Sequence, residues 1–197
     1  MAERVESQPS SKAEEAVRSV LSALAAQGAF RTPKLRRADM REFKLVSPHR
    51  VFLIPLAILK GDQKAELTDV GWRFIIEVNG EGIASAEAIS RPNGQFQFSG
   101  LNEGPLVDNL VDTLKGVDIL GQGFQPRLVL APGVNTAALW LKKAGGSEFC
   151  LAETDVVVQL VPIHHDRSLR TLTPVPEFIS SLKSLASALQ QGGAKGG

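Results

Sequence analysis

Several residue types that build common functional sites are scarce in this chain of 197 residues. It contains one cysteine, three histidines and no tyrosine. A single cysteine excludes an internal disulfide framework and a zinc site of the CxxC type. No apolar run reaches the roughly 18 to 20 residues of a membrane-spanning helix, and the first residues lack the apolar core of a signal peptide. We therefore expect a cytoplasmic protein without a membrane segment, a cofactor or a bound metal.

The charges nearly balance over the whole chain, yet they are unevenly distributed. Residues 31–50 contain seven basic side chains and only two acidic ones. A basic segment of this kind binds phosphates, or it contacts an acidic protein surface. Arg37 and Arg41 are spaced to point the same way if the segment is helical, and Arg36 is adjacent. We expect these three arginines to make the phosphate or partner contact.

An amphipathic helix is predicted near each end of the chain. Val17, Val20, Leu21 and Leu24 recur at helical spacing in the first, and Gly28 follows as a stop signal. The second has an apolar stripe at Phe178, Ile179, Leu182, Leu185, Ala186 and Leu189. We expect both stripes to dock on the domain, and the alternative is that one of them joins a partner chain.

The middle of the chain has mostly the patterns of strands. Apolar or alternating segments at 51–59, 72–78, 82–89, 95–99, 127–131 and 156–163 predict strands, and 102–115 has the spacing of one central helix. Residues 136–142 fit a strand or a helix, and we favour a strand in a hairpin with 148–152 that would bury Cys150. The predicted class is α+β, a largely antiparallel sheet with one central helix and amphipathic N- and C-terminal helices.

The hairpin at Asn79-Gly80 has two possible registers. A two-residue turn at this dipeptide would pair Val78 with Glu81. A three-residue loop would instead pair Val78 with Gly82, so that Trp72, Phe74 and Ile76 face Ala88, Ala86 and Ala84. We prefer the second register because it places large side chains opposite small ones on one buried face.

Composition also suggests how the chain is divided. We predict a flexible start and N-terminal helix at 1–28, a basic linker at 29–50, one α+β domain at 51–191 that includes the C-terminal helix, and a flexible tail at 192–197.

The sequence offers one cluster with the residue types of a catalytic or metal site. His164, His165 and Asp166 follow the last predicted strand, and a metal-assisted hydrolase centred on them is one hypothesis. A second hypothesis is nucleic-acid binding through residues 31–50. Because no familiar catalytic or nucleotide-binding motif is present, we favour a non-catalytic protein that acts by interaction or assembly. Its partner would be another protein or a second copy, with the strand-rich scaffold, the terminal helices and the basic segment as contact surfaces.

Overall fold

A computed structural model of the chain describes residues 11–31, 33–62, 65–119, 123–145, 147–161 and 171–193. The described helices are α1 (Ser11–Ala26), α2 (Pro33–Arg37), α3 (Leu56–Leu59), α4 (Pro105–Ile119) and α5 (Val175–Gly193). The strands are β1 (Lys44–Leu53), β2 (Thr68–Val78), β3 (Glu81–Ser90), β4 (Phe96–Asn102), β5 (Phe124–Ala131), β6 (Thr136–Lys143), β7 (Val156–Val161) and β8 (Thr173–Pro174). The predicted α+β class is confirmed.

The strands form one eight-stranded sheet in the order β4-β3-β2-β1-β5-β6-β7-β8. β1 and β5 are parallel, with Phe52 beside Val129. The pairs β2–β3, β3–β4, β5–β6, β6–β7 and β7–β8 are antiparallel, which confirms the prediction of a largely antiparallel sheet.

Residue contacts divide the chain into two compact units. Unit 1 comprises Met1–Arg50 with Val70–Ile119, and unit 2 comprises Val51–Asp69 with Leu120–Gly197. The division between the units falls within β1 and within β2. The boundaries predicted from composition were placed instead where polar segments change to apolar ones. The two units have separate apolar cores.

The core of unit 1 lies between α1 and the β2–β3–β4 part of the sheet. Val17 and Leu21 of α1 are buried in the same cluster as Phe74 of β2 and Ala86 of β3, so the predicted docking of the first helix is confirmed. The alanines of β3 leave room for larger side chains beside them, and this allows α1 to approach the sheet closely.

The β2–β3 hairpin combines features of both predicted registers. Asn79 and Gly80 have φ of 51° and 81°, as a two-residue hairpin turn requires. Val78 pairs with Glu81, so the predicted pairing of Val78 with Gly82 was wrong. An irregularity between Ile76 and Glu77 then shifts the register.

Beyond that shift, the large side chains of β2 lie opposite the small ones of β3. Trp72 pairs with Ala88, Phe74 with Ala86 and Ile76 with Ala84, as predicted. The turn chemistry and the matching of large to small residues are therefore both satisfied, because the β-bulge absorbs the difference between them.

The core of unit 2 is built on Trp140 of β6. Phe52 of β1 meets the Trp140 ring edge-on at 5.6 Å between ring centres, and Phe178 and Leu182 of α5 belong to the same cluster. The predicted strand at 136–142 is confirmed. Its predicted hairpin with 148–152 was wrong, because β6 pairs with β5 and β7, and residues 148–152 lie in the connection between β6 and β7.

Candidate interaction surfaces

The basic segment is folded against unit 1. Its residues lie in α2, in a 3-10 turn at Met40–Glu42 and in β1. Leu35 of α2 is buried between exposed neighbours, which fixes this short helix on the core of the unit. Arg37 belongs to α2 and Arg41 to the 3-10 turn, so these two residues do not share a helical face.

Two of the cations in this segment are paired within the chain. Lys34 Nζ donates to Glu81 Oε1 at 2.5 Å, and this hydrogen bond raises the pKa of Lys34 and lowers that of Glu81. Arg41 binds Asp39 through its guanidinium at 3.1 Å. The backbone N–H of Arg41 also donates to Asp39, which lowers the pKa of that carboxyl.

Arg36 and Arg37 differ from those two cations. Both are exposed on α2, and within the described residues neither side chain makes a hydrogen bond or an ion pair. The structure thus separates the predicted contact residues into one partnered arginine, Arg41, and two arginines that face solvent alone.

The aromatic side chains of the basic segment are turned inward. Phe30 and Phe43 are buried in the unit 1 core, and their ring centres are 5.7 Å apart. Base stacking on single-stranded nucleic acid needs exposed aromatic faces. These two rings therefore cannot provide it.

A second candidate surface includes part of the C-terminal helix stripe, for which the sequence left a partner contact open as the alternative to docking. All the large apolar side chains that the described chain exposes belong to unit 2: Leu56, Phe149, Leu172, Leu185 and Leu189. Leu56 lies on α3, which contacts α5, and Ile58 of the same short helix packs on the unit 2 core. Neighbouring exposed apolar residues mark interaction sites more often than scattered ones do, and Leu185 and Leu189 are neighbours one turn apart on α5.

The C-terminal part of α5 supplies two of these residues. Phe178 and Leu182 are buried, and Ile179 and Ala186 pack against the core, so the first half of the predicted stripe docks as expected. Leu185 and Leu189 remain 43% and 60% exposed. From residue 187 to residue 191 every described side chain is exposed, so these turns extend past the core.

The connection that carries Phe149 is held by two buried charged groups. Asp155 accepts hydrogen bonds from Trp140 Nε1 at 2.9 Å, from the Lys143 backbone N–H at 3.0 Å and from the Ala152 backbone N–H at 3.2 Å. Arg127 Nη1 donates to the Glu148 carbonyl at 2.8 Å. Because both ends of the segment 148–152 are anchored, its exposed side chains are presented on a fixed backbone.

The Arg127 guanidinium is enclosed by aromatic rings. It lies 5.3 Å from the centre of the Phe52 ring and 5.1 Å from that of Trp140. Contacts of this kind stabilise a cation that is removed from water. The arrangement explains how the fold accommodates a buried arginine on β5.

Cys150 does not occupy the buried strand position predicted for it. Its thiol is exposed in the β6–β7 connection, so the prediction of a buried structural cysteine was wrong. The apolar neighbours Phe149 and Leu151 suggested a strand, but that segment is held by hydrogen bonds from outside any strand ladder.

The histidines give no site among the described residues. His164, His165 and Asp166, the candidate catalytic residues, lie outside the part of the chain that the structure describes. His49 is buried on β1, where its Nδ1 donates to the Ser47 carbonyl at 2.8 Å. Burial, together with the smaller effect of the nearby Arg73 charge, lowers the pKa of His49 from 6.5 to about 4, although the hydrogen bond to Ser47 opposes the shift.

His49 belongs to a set of polar groups buried within unit 1. Arg73 on β2 forms an ion pair with Glu87 on β3, which also accepts from Asn102 of β4 at 3.3 Å. Among the described residues, His49 Nε2, Arg73 Nε, Ser85 Oγ and Glu103 Oε1 are buried without a hydrogen-bond partner. These atoms have almost no accessible surface, so they leave no space for a ligand to reach them.

The described residues form neither a metal-binding cluster nor a membrane-spanning helix. No group of three or more His, Cys, Asp or Glu side chains is placed to hold a metal ion. No helix in the same set of residues is long and apolar enough to cross a bilayer.

Comparisons of the chain with protein-family models, with curated proteins and with solved structures find no match. The two surfaces described above therefore have to be interpreted from their own chemistry. The sequence contained the signal for the first in its charge pattern. The exposed apolar surface of unit 2 depends on which residues of an amphipathic helix the core covers, and the sequence of the helix alone does not determine how far the core extends.

Proposed function

We propose that this protein acts by assembly, with unit 2 as the contact surface and a second copy of the chain as the partner. The observation that supports this function is the segregation of exposed apolar residues to unit 2. Covering these side chains removes apolar surface from water at about 25 cal/mol per Å². The scaffold would act through this contact and not through a catalytic centre.

The end of α5 is the part of the surface best suited to such a contact. Leu185 and Leu189 are one helical turn apart and lie on the same face of the helix. Residues 184–193 contain no acidic or basic side chain. Interface cores are depleted of charge in the same way.

The same absence of charge supports a second copy of the chain as the partner. Two copies of an uncharged helical segment do not repel each other, and a two-fold axis brings the same patch of both chains into contact. The side chains of residues 187–191 are also exposed, so no described residue of the same chain covers these turns. Short helical segments of this kind are marginally stable in water, and a second copy would supply the missing contact.

Light scattering on the full-length chain tests the proposal. We expect the natural protein to have about twice the mass of one chain, which is 21.1 kDa. Leu185→Ser with Leu189→Ser should reduce the mass to that of one chain. The matched control is Gln190→Ser with Gln191→Ser, which alters exposed polar residues of the same helix and should keep the larger mass. A natural protein with the mass of one chain at every concentration would refute self-association.

A further inference from the structure

A second contact surface can be assigned to α2 in unit 1, and its chemistry differs from that of unit 2. The starting observation is the contrast among the exposed cations of the basic segment. Lys34 and Arg41 are paired to Glu81 and Asp39. Arg36 and Arg37 make no side-chain hydrogen bond or ion pair with any described residue. Two adjacent guanidinium groups thus keep their full capacity to bind anions.

These arginines are carried by a backbone that is fixed in place. Leu35 is buried next to them, and the Lys34–Glu81 pair ties the start of α2 to β3. A contact residue on an anchored helix loses less conformational freedom on binding than one on a mobile linker. The placement of Arg36 and Arg37 therefore favours recognition over a general attraction of counterions.

The surroundings indicate which anion fits. Asp39 and Glu42 are exposed close to the arginines in the sequence, and their negative charges oppose a long polyanion more than a short acidic segment that contacts Arg36 and Arg37 alone. Phe30 and Phe43 are buried, so nucleic-acid bases find no aromatic face in this segment. Carboxylates remain a good match, since a guanidinium binds a carboxylate through two parallel hydrogen bonds.

We propose that Arg36 and Arg37 bind a short acidic segment of a partner protein through arginine–carboxylate pairs. This assignment rests on the proposed function, because it adds a second partner to a protein that acts by interaction. It uses unit 1 residues and does not depend on self-association through α5.

Fluorescence anisotropy with a labelled octaglutamate peptide tests this assignment on the full-length protein at low salt. We expect the natural chain to bind the peptide, and an octaglutamine peptide not to bind. Arg36→Ser with Arg37→Ser should weaken binding about tenfold or more, since two charge-assisted pairs are lost. Arg36→Lys with Arg37→Lys keeps the charge but not the fork of donors, and should give an intermediate loss.

Three comparisons make the result specific. Lys12→Ser with Arg18→Ser removes the same charge from exposed positions of α1 in the same unit and should change the affinity less than about twofold. Leu185→Ser with Leu189→Ser should leave peptide binding unchanged, which separates this test from that of self-association. Arg41→Ser should have a smaller effect than the double change in α2, because Arg41 is already paired with Asp39.

The proposal would be overturned by any of three results. The first is no binding of octaglutamate by the natural chain. The second is an equal loss of binding in the α1 control. The third is binding of a single-stranded oligonucleotide that needs Arg36 and Arg37 while octaglutamate does not bind, which would assign the surface to phosphates.

Discussion

Acidification should destabilise unit 1 through His49. The ring is buried and its pKa in the folded chain is about 4, against an ordinary value of 6.5. The unfolded chain therefore takes up a proton at a higher pH than the folded chain does. The contribution of neutral His49 to stability is complete above pH 6.5 and is lost as the pH falls towards 4.

The size of this effect follows from the two pKa values. A difference of one pKa unit corresponds to about 1.4 kcal/mol. The shift of His49 then gives a loss of about 2 kcal/mol by pH 5, and on the order of 3 kcal/mol near pH 4. The Arg73 charge is part of this shift, because it disfavours a protonated ring.

The assay is chemical denaturation of the natural protein and of His49→Gln at pH 7.5 and at pH 5. Other titrating groups contribute equally to both proteins, so the difference between their pH dependences isolates His49. Trp72 lies in unit 1 and Trp140 in the core of unit 2, so both proteins keep both tryptophans and are compared by the same fluorescence change. Equal losses of unfolding free energy in the two proteins would refute the reasoning.

Two changes on β3 test the two faces of the unit 1 sheet by the same denaturation assay. Ala86→Leu should lower the free energy of unfolding by about 1 to 3 kcal/mol, because Ala86 is fully buried opposite Phe74. Ala23→Leu on the exposed side of α1 is its control, and an unchanged midpoint for Ala86→Leu would contradict the packing described here. Ser85→Ala removes a buried hydroxyl that has no hydrogen-bond partner among the described residues and should stabilise by about 1 kcal/mol. Exposed Ser99→Ala should have no effect, and a destabilised Ser85→Ala variant would show that the hydroxyl is satisfied.

Much of the fold was predictable from periodicity and turn residues. The alternation from Trp72 to Val78 located β2, and Asn79-Gly80 located its turn. The extent of α4 was not predictable in the same way. The spacing predicted a helix over 102–115, yet α4 continues through Gly116 to Ile119, since a glycine within a helix costs only about 1 kcal/mol.

The candidate surfaces were only partly predictable. The excess of basic residues was visible in the sequence. Which of these basic side chains form ion pairs depends on where Asp39 and Glu81 lie in the fold. The stripe on α5 was also visible. How far the core extends beneath that stripe is set by Trp140, Phe52 and other residues distant in the chain. Long-range packing of this kind has no local signature.

The connection that carries Cys150 shows a further reason for error. Residues 148–152 have the composition of a strand, but the buried Arg127 and Asp155 hold them by hydrogen bonds to their backbone groups. Arg127 is distant in the sequence from this segment, and a turn separates Asp155 from it. The residue pattern of 148–152 alone therefore does not indicate the conformation of this segment.

Amide hydrogen exchange of α5 at several protein concentrations reports directly on self-association through this helix. If a second copy covers the end of this helix, the amides of residues 187–191 should be protected at high concentration. They should lose that protection on dilution, because turns without packing partners open readily. The amides near Leu182, which is buried in its own chain, should stay protected throughout. Equally rapid exchange of residues 187–191 at every concentration would contradict self-association through α5.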